Sequence, residues 1–199
     1  MNFEGINYKT LLKCGVVYDR LEILDFVKEK GIPIDYQYII NIAIMGSSLN
    51  FLKKFLSESI LFDGHRIAMR SIENNNYDVF EWITNVDKNP SKYLNTYAIV
   101  RFRNVDYKTV VSRVACNPNI SFLNYLIENG YSIKLEDVAT NACLKNKLDV
   151  LEWLIQKGFK LDPILLIDAG RSKNMEVLNW LRDHGIKMTE NDMAGVRVS

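Results

Sequence analysis

The stretch Ala139-Thr-Asn-Ala142-Cys-Leu-Lys-Asn-Lys-Leu148-Asp-Val-Leu-Glu-Trp-Leu-Ile-Gln-Lys-Gly158-Phe-Lys-Leu-Asp162 decides the fold. From Leu148 onward, apolar residues fall at positions 1, 3, 4, 6 and 7: Leu148, Val150, Leu151, Trp153 and Leu154. That spacing puts them on one broad face at helical period. Gly158, at position 11, is a stop signal. A helix commonly ends in a left-handed residue, and glycine adopts that conformation without a Cβ penalty. Phe159 and Leu161 then alternate, and Asp162 is a candidate N-cap with Pro163 suited to the first helical position.

The segment recurs along the chain: Leu21-Glu-Ile-Leu-Asp-Phe-Val, Leu49-Asn-Phe-Leu-Lys-Lys-Phe, Tyr77-Asp-Val-Phe-Glu-Trp-Ile, Ile120-Ser-Phe-Leu-Asn-Tyr-Leu, Leu148-Asp-Val-Leu-Glu-Trp-Leu and Met175-Glu-Val-Leu-Asn-Trp-Leu. The starts are 28, 28, 43, 28 and 27 residues apart. The long step is one period plus about 15 inserted residues. Gly31, Gly130, Gly158 and Gly185 hold position 11, whereas Ser59 and Asp87 stand there in the second and third copies, whose helices must close differently. Candidate N-caps follow at Asp35, Asp63, Asp162 and Thr189, the last resembling a capping box with Asp192.

A second helix precedes each copy. It carries a small residue six positions before the repeated segment: Gly15, Ala43, Ser71, Ala142 and Ala169. In the fourth copy Ala115 stands five before, which reads as one missing residue. One such unit cannot bury its apolar face alone, so the units are expected to stack. The expected fold is an all-α solenoid of six helix-turn-helix repeats in a single domain, 1–199. The repeats lie at about 8–35, 36–63, 64–88, 107–134, 135–162 and 163–188, with an insertion at 88–106. Met193, Val196 and Val198 are expected to form a C-terminal cap within 189–199.

This pattern resembles the ankyrin repeat. Residues 139–162 match that family's block from the small-residue helix through the glycine without gaps, and the likeness runs over roughly residues 8–192. The family's T-P-L-H-x-A signature is absent, and the period is about 28 rather than 33. The resemblance therefore implies short or absent β-hairpin fingers. Short divergent repeats with Leu-Glu-Trp-Leu look like those of large DNA viruses and their protist hosts. The family binds proteins on a concave face built from first-helix positions just before, and two or three after, the small residue. Carried onto this chain, the implied partner-binding residues are Tyr18, Met45, Arg70, Glu73, Asn74, Asn117, Asn141, Lys145, Asp168 and Arg171.

Composition narrows the function. Lys+Arg 25 against Asp+Glu 24 gives a net charge of +1, which favours neither a nucleic-acid nor an anionic membrane surface. Cys14, Cys116 and Cys143 are odd in number and widely spaced, which points to a reducing, intracellular compartment rather than to disulfides or zinc. No signal-peptide pattern opens the sequence, and no run of 18 apolar residues occurs. Phosphate-binding, metalloprotease and nucleophile-elbow motifs are missing. His184 reads as a solvated helix-end residue and His65 as a linker residue. Cys116 and Cys143 both follow the small residue, so both read as packing thiols. Phe26, Trp82, Tyr125, Trp153 and Trp180 share position 6 of the repeated helix, with Lys54 the exception, and read as core rather than a base-stacking ladder.

The insertion mixes Arg101, Arg103 and Lys108 with Tyr93, Tyr97, Phe102 and Tyr107. It is open to three readings: a packed half-repeat, a protein-binding loop, or a nucleic-acid patch. The chain is expected to be a non-enzymatic, cytoplasmic protein-binding module with no cofactor, metal, membrane or small-molecule substrate. The alternative is a structural component of a larger complex or viral particle. Size-exclusion behaviour separates the two, because assembly predicts self-association.

Overall fold

The repeated apolar spacing folds as helices throughout the computed structural model, which describes residues 7–57, 63–93 and 104–188. The helices are α1 (Tyr8–Val17), α2 (Leu21–Glu29), α3 (Tyr36–Met45), α4 (Leu49–Ser57), α5 (Gly64–Glu73), α6 (Tyr77–Lys88), α7 (Pro90–Tyr93), α8 (Tyr107–Cys116), α9 (Ile120–Glu128), α10 (Leu135–Leu144), α11 (Leu148–Gln156), α12 (Leu165–Arg171) and α13 (Met175–Asp183). The chain is all-α, and among the described residues no extended strand forms.

The chain divides into two compact units, Met1–Asp106 and Tyr107–Ser199. In the first, α1 pairs with α2, α3 with α4 and α5 with α6, while α1 lies beside α3 and α3 beside α5. In the second, α8 pairs with α9, α10 with α11 and α12 with α13, while α10 packs against both α8 and α12. The core of each unit combines the buried face of the first helices with positions 3, 4 and 7 of the second helices. Leu24, Val27, Phe51, Leu52, Phe55, Val79, Phe80 and Ile83 fill the first unit. Phe122, Leu123, Leu126, Val150, Leu151, Leu154, Val177 and Leu181 fill the second. Each such burial contributes about 1.5–3 kcal/mol. Position 6 belongs to this layer as well. Trp82, Tyr125 and Trp153 are buried, and the Trp153 indole N–H donates to Asn124 Oδ1 at 3.1 Å. Phe26 and Trp180, in the first and last pairs, are half-buried.

Left-handed residues close four of the second helices and five of the first helices among the described residues. At the second helix this is the expected glycine: Gly31, Gly130, Gly158 and Gly185 have φ between 65° and 80°. The next N–H reaches back to close the last turn, from Ile32 to Val27 O, Tyr131 to Leu126 O, Phe159 to Leu154 O and Ile186 to Leu181 O. This is a Schellman closure, with an apolar residue at each end of the bond. The first helix uses the same closure without glycine. Asp19, Ser47, Asn75, Asn146 and Lys173 take φ of 51–61°. There the closing acceptor is the carbonyl of the small residue itself: Arg20 N to Gly15 O, Ser48 N to Ala43 O, Asn76 N to Ser71 O, Lys147 N to Ala142 O and Asn174 N to Ala169 O, at 2.7–3.0 Å. A Cβ on Gly15 would come within 2.9 Å of Ile23 Cβ, so in the first pair even a methyl group is too large.

The fourth copy corrects the sequence reading. No residue is missing: α8 has the 10 residues of α1, and Asn117 N bonds Arg113 O just as Tyr18 N bonds Cys14 O. The buried Val114, not Ala115, occupies the small-residue slot. Pro118 stands where other pairs place the left-handed residue. Proline fixes φ near −65° and has no N–H, so this turn cannot form the shared closure. Asn119 caps α9 instead, accepting from Ser121 N at 3.0 Å.

Asp35 and Asp63 cap α3 and α5 as expected, accepting from Tyr38 N and Arg66 N at 3.0 and 2.9 Å. Asp162 departs. Its carboxylate accepts from Ile164 N, and Leu165, Leu166 and Ile167 bond three residues back. A tight turn therefore precedes α12, and Pro163 lies outside the helix proper. In the third copy, Asp87 lies inside the longer α6 and accepts from Val105 N at 3.0 Å, while His65 Nδ1 accepts from Asp106 N at 3.3 Å. These two bonds hold the chain where it returns from the insertion. Pro90–Tyr93 forms an extra helical turn packed on α6. Tyr97, Arg101, Phe102, Arg103, Ser59, Thr189 and the C-terminal cap residues lie outside the described residues.

A further contact joins successive pairs. The residue just before a second helix reaches into the end of the previous first helix. Asn174 Nδ2 donates to Cys143 O at 2.6 Å and Leu144 O at 3.0 Å. Asn76 Nδ2 donates to Ile44 O and to Met45 O, and Ser48 Oγ to Val16 O. These carbonyls belong to the last turn of a helix, where no intrahelical partner exists. Replacing Asn174 with alanine removes both of its bonds, leaving Cys143 O with only the long bond from Asn146 N and Leu144 O without this donor. It should cost about 1–2 kcal/mol, read as a lower urea midpoint, with an unchanged midpoint contradicting the clamp.

Candidate binding face

Helical phase decides which first-helix residues face out. The small residue, the one after it, and those three and four before it are buried, as with Ile39, Ile40, Ala43 and Ile44. Positions one before and two after then fall on the opposite side, and the third residue after is the helix cap. In the first unit this row carries Tyr18 (74% exposed), Met45 (65% exposed), Arg70, Glu73 and Asn74, all at the surface. Val17, 48% exposed, joins them although the sequence reading passed over it. Its Cα lies 3.9 Å from where a Cβ on Gly46 would stand, which places Val17 next to the end of α3.

The structure brings part of this set together. Arg70 Nη1 pairs with Glu73 Oε2 at 2.9 Å, and Asn74 Nδ2 donates to Arg70 O at 2.8 Å. Asn41, Met45, Arg70 and Asn74 line a depression of about 250 Å³. Asn41 was missed because it stands two before the small residue, outside the positions the resemblance supplies. Arg66 Nη2 donates to its Oδ1 at 3.4 Å.

In the second unit Lys145 and Arg171 are exposed, while Asn117, Asn141 and Asp168 are half-buried. Asn141 spends its amide on Asp137 O at 2.9 Å. Leu144, 42% exposed, is the apolar member of this row that the sequence reading omitted. A separate cavity of about 530 Å³ lies between α8 and the start of α10, where the Tyr107 and Tyr131 rings stack with centroids 4.6 Å apart.

The thiols separate by register. Cys143 is buried, and its pKa is pushed up to about 12 by that burial and by the Asp168 carboxylate. Cys116 is exposed, which overturns its reading as a packing residue. With Val114 in the small slot, Cys116 sits two positions after it and not one. His184 is exposed, lies with its ring 3.9 Å from that of Trp180, and shares a hydrogen bond with Trp180 O. Among the described residues no group of three or more His, Cys, Asp or Glu is placed to hold a metal ion, and no helix is long and apolar enough to cross a membrane. No protein-family model and no curated protein matches the chain.

Thiol chemistry checks this register. The thiolate is the reactive form, so at pH 8 a maleimide should label Cys14 and Cys116 in the folded protein and Cys143 only after denaturation. Rapid labelling of native Cys143 by mass spectrometry would contradict it. The unfolded thiol loses its proton near 9.0 and the folded one near 12. Stability therefore falls as pH rises across that window, and Cys143→Ala should remove that contribution.

Proposed function

We propose that the chain is a non-enzymatic protein-binding module, an ankyrin-like solenoid of six repeats that captures a protein partner on its first-helix face. The observation that carries this reading is the contrast between two sets of positions. At positions 3, 4 and 7 of the second helix the copies stay apolar, and these side chains are buried in nearly every pair. On the first-helix row the copies differ: two positions after the small residue stand Val17, Met45, Glu73, Leu144 and Arg171, apolar, acidic and basic side chains, and all are exposed. A scaffold with a specific recognition surface requires that combination. Tyr, Met and Arg are also the side chains enriched at the centres of protein interfaces. The insertion at 88–106 is a second contact in this reading.

Recognition then depends on surface complementarity and on no cofactor. Replacing Arg70, Glu73, Lys145 and Arg171 together with alanine should leave the helical circular-dichroism signal and the urea midpoint near wild type. These side chains are exposed, and surface substitutions usually change stability by less than about 0.5 kcal/mol each. The variant should lose the partner that the wild-type chain captures from host extract. Undiminished capture would remove the first-helix face from the account.

A further inference from the structure

We propose that the depression at the ends of α3 and α5 is a carboxylate-binding subsite, and that the partner presents to it an Asp or Glu side chain beside a large apolar one. The proposal rests on the binding-face reading and names the chemistry of the partner. Asn41, Met45, Arg70 and Asn74 line the depression, and Arg70 is the charged residue among them. Hydrogen-bond roles narrow what can bind. Asn41 Oδ1 already accepts from Arg66 Nη2, so the amide N–H₂ is the end that Asn41 can offer. Asn74 spends its own N–H₂ on the Arg70 carbonyl, which holds it against the last turn of α5. The cavity wall thus offers a guanidinium and an amide donor, the set that a carboxylate accepts from in parallel bonds.

Arg70 already displays that pairing within its own helix. Its Nη1 meets Glu73 Oε2 at 2.9 Å, at a position 55% exposed. A partner carboxylate would approach the remaining N–H groups of the same fork, and Glu73 would compete with it. The apolar part of the ligand is set by what lies alongside. Met45 is both a wall of the depression and 65% exposed, and Val17, 48% exposed, lies beside Gly46 at the end of the same helix. These side chains sit at helix ends rather than under a neighbouring helix, so a partner's Leu or Phe would remove them from water.

The test uses the full-length chain and an array of immobilised 12-residue peptides. One set carries Asp or Glu flanked by Leu; the matched sets replace the acid by Asn or Gln, or by Lys. The acidic set should be retained about tenfold more strongly than either matched set, the scale of a charge-assisted hydrogen bond. Arg70→Gln should erase that preference, and Glu73→Gln, which removes the internal competitor, should strengthen it. Equal retention of the three sets, no retention of any, or a preference that survives Arg70→Gln would each overturn the subsite. Any of those results combined with lost partner capture in the four-residue variant removes the subsite and leaves the binding face standing.

Discussion

Five of the six first helices end on a bond from the N–H five residues on to the carbonyl of their small, buried residue, and the turn into the second helix is built on that closure. The bond turns the chain through a left-handed residue and into the second helix. A small side chain is needed at the acceptor because the second helix folds back over it, as the contact between Gly15 and Ile23 shows. Five pairs use this geometry, with acceptors Gly15, Ala43, Ser71, Ala142 and Ala169. Left-handed φ costs a non-glycine residue about 1–2 kcal/mol, and the buried second helix offsets it. Where Pro118 removes the option, the fourth pair keeps its length and register but caps its second helix with Asn119.

The same closure explains where function can reside. Because the first helix is pinned at its C-terminal end, the residues flanking the small one alternate sharply between core and surface. The last carbonyls of that helix are taken by the next pair's Ser48, Asn76 or Asn174. At these three junctions the end of one first helix is tied to the next pair. Tyr18, Met45 and Lys145 stand at helix ends held by these side-chain bonds, while their own chemistry varies.

The second helices could be read from the sequence because burial demands a period near 3.6, and their ends because glycine alone takes a left-handed φ without a penalty. The first-helix closures could not. Asp19, Ser47, Asn75, Asn146 and Lys173 share a backbone conformation but no single residue type. The asparagine clamps were equally hidden, since Asn174 and its acceptor Cys143 are 31 residues apart. Ala115 misled the alignment of the fourth copy because it has the right size one position too late, and Cys116 was misassigned with it. Of the candidate face, the row came from the resemblance, and helical phase accounts for the exposure of Tyr18, Met45, Arg70, Glu73, Asn74, Lys145 and Arg171, while Asn117, Asn141 and Asp168 are half-buried. The depression came from neither, because Asn41 joins it through packing between α3 and α5 rather than through its offset from Ala43.

The central claim is that a partner sits on the first-helix row. Amide hydrogen exchange of the chain with and without the partner it captures tests this most directly. The account predicts slowed exchange over residues 14–19, 42–47, 70–75, 141–146 and 168–173, with the second helices α2, α4 and α11 unchanged. Protection confined to the second helices, with the first-helix ends exchanging as in the free chain, would contradict it.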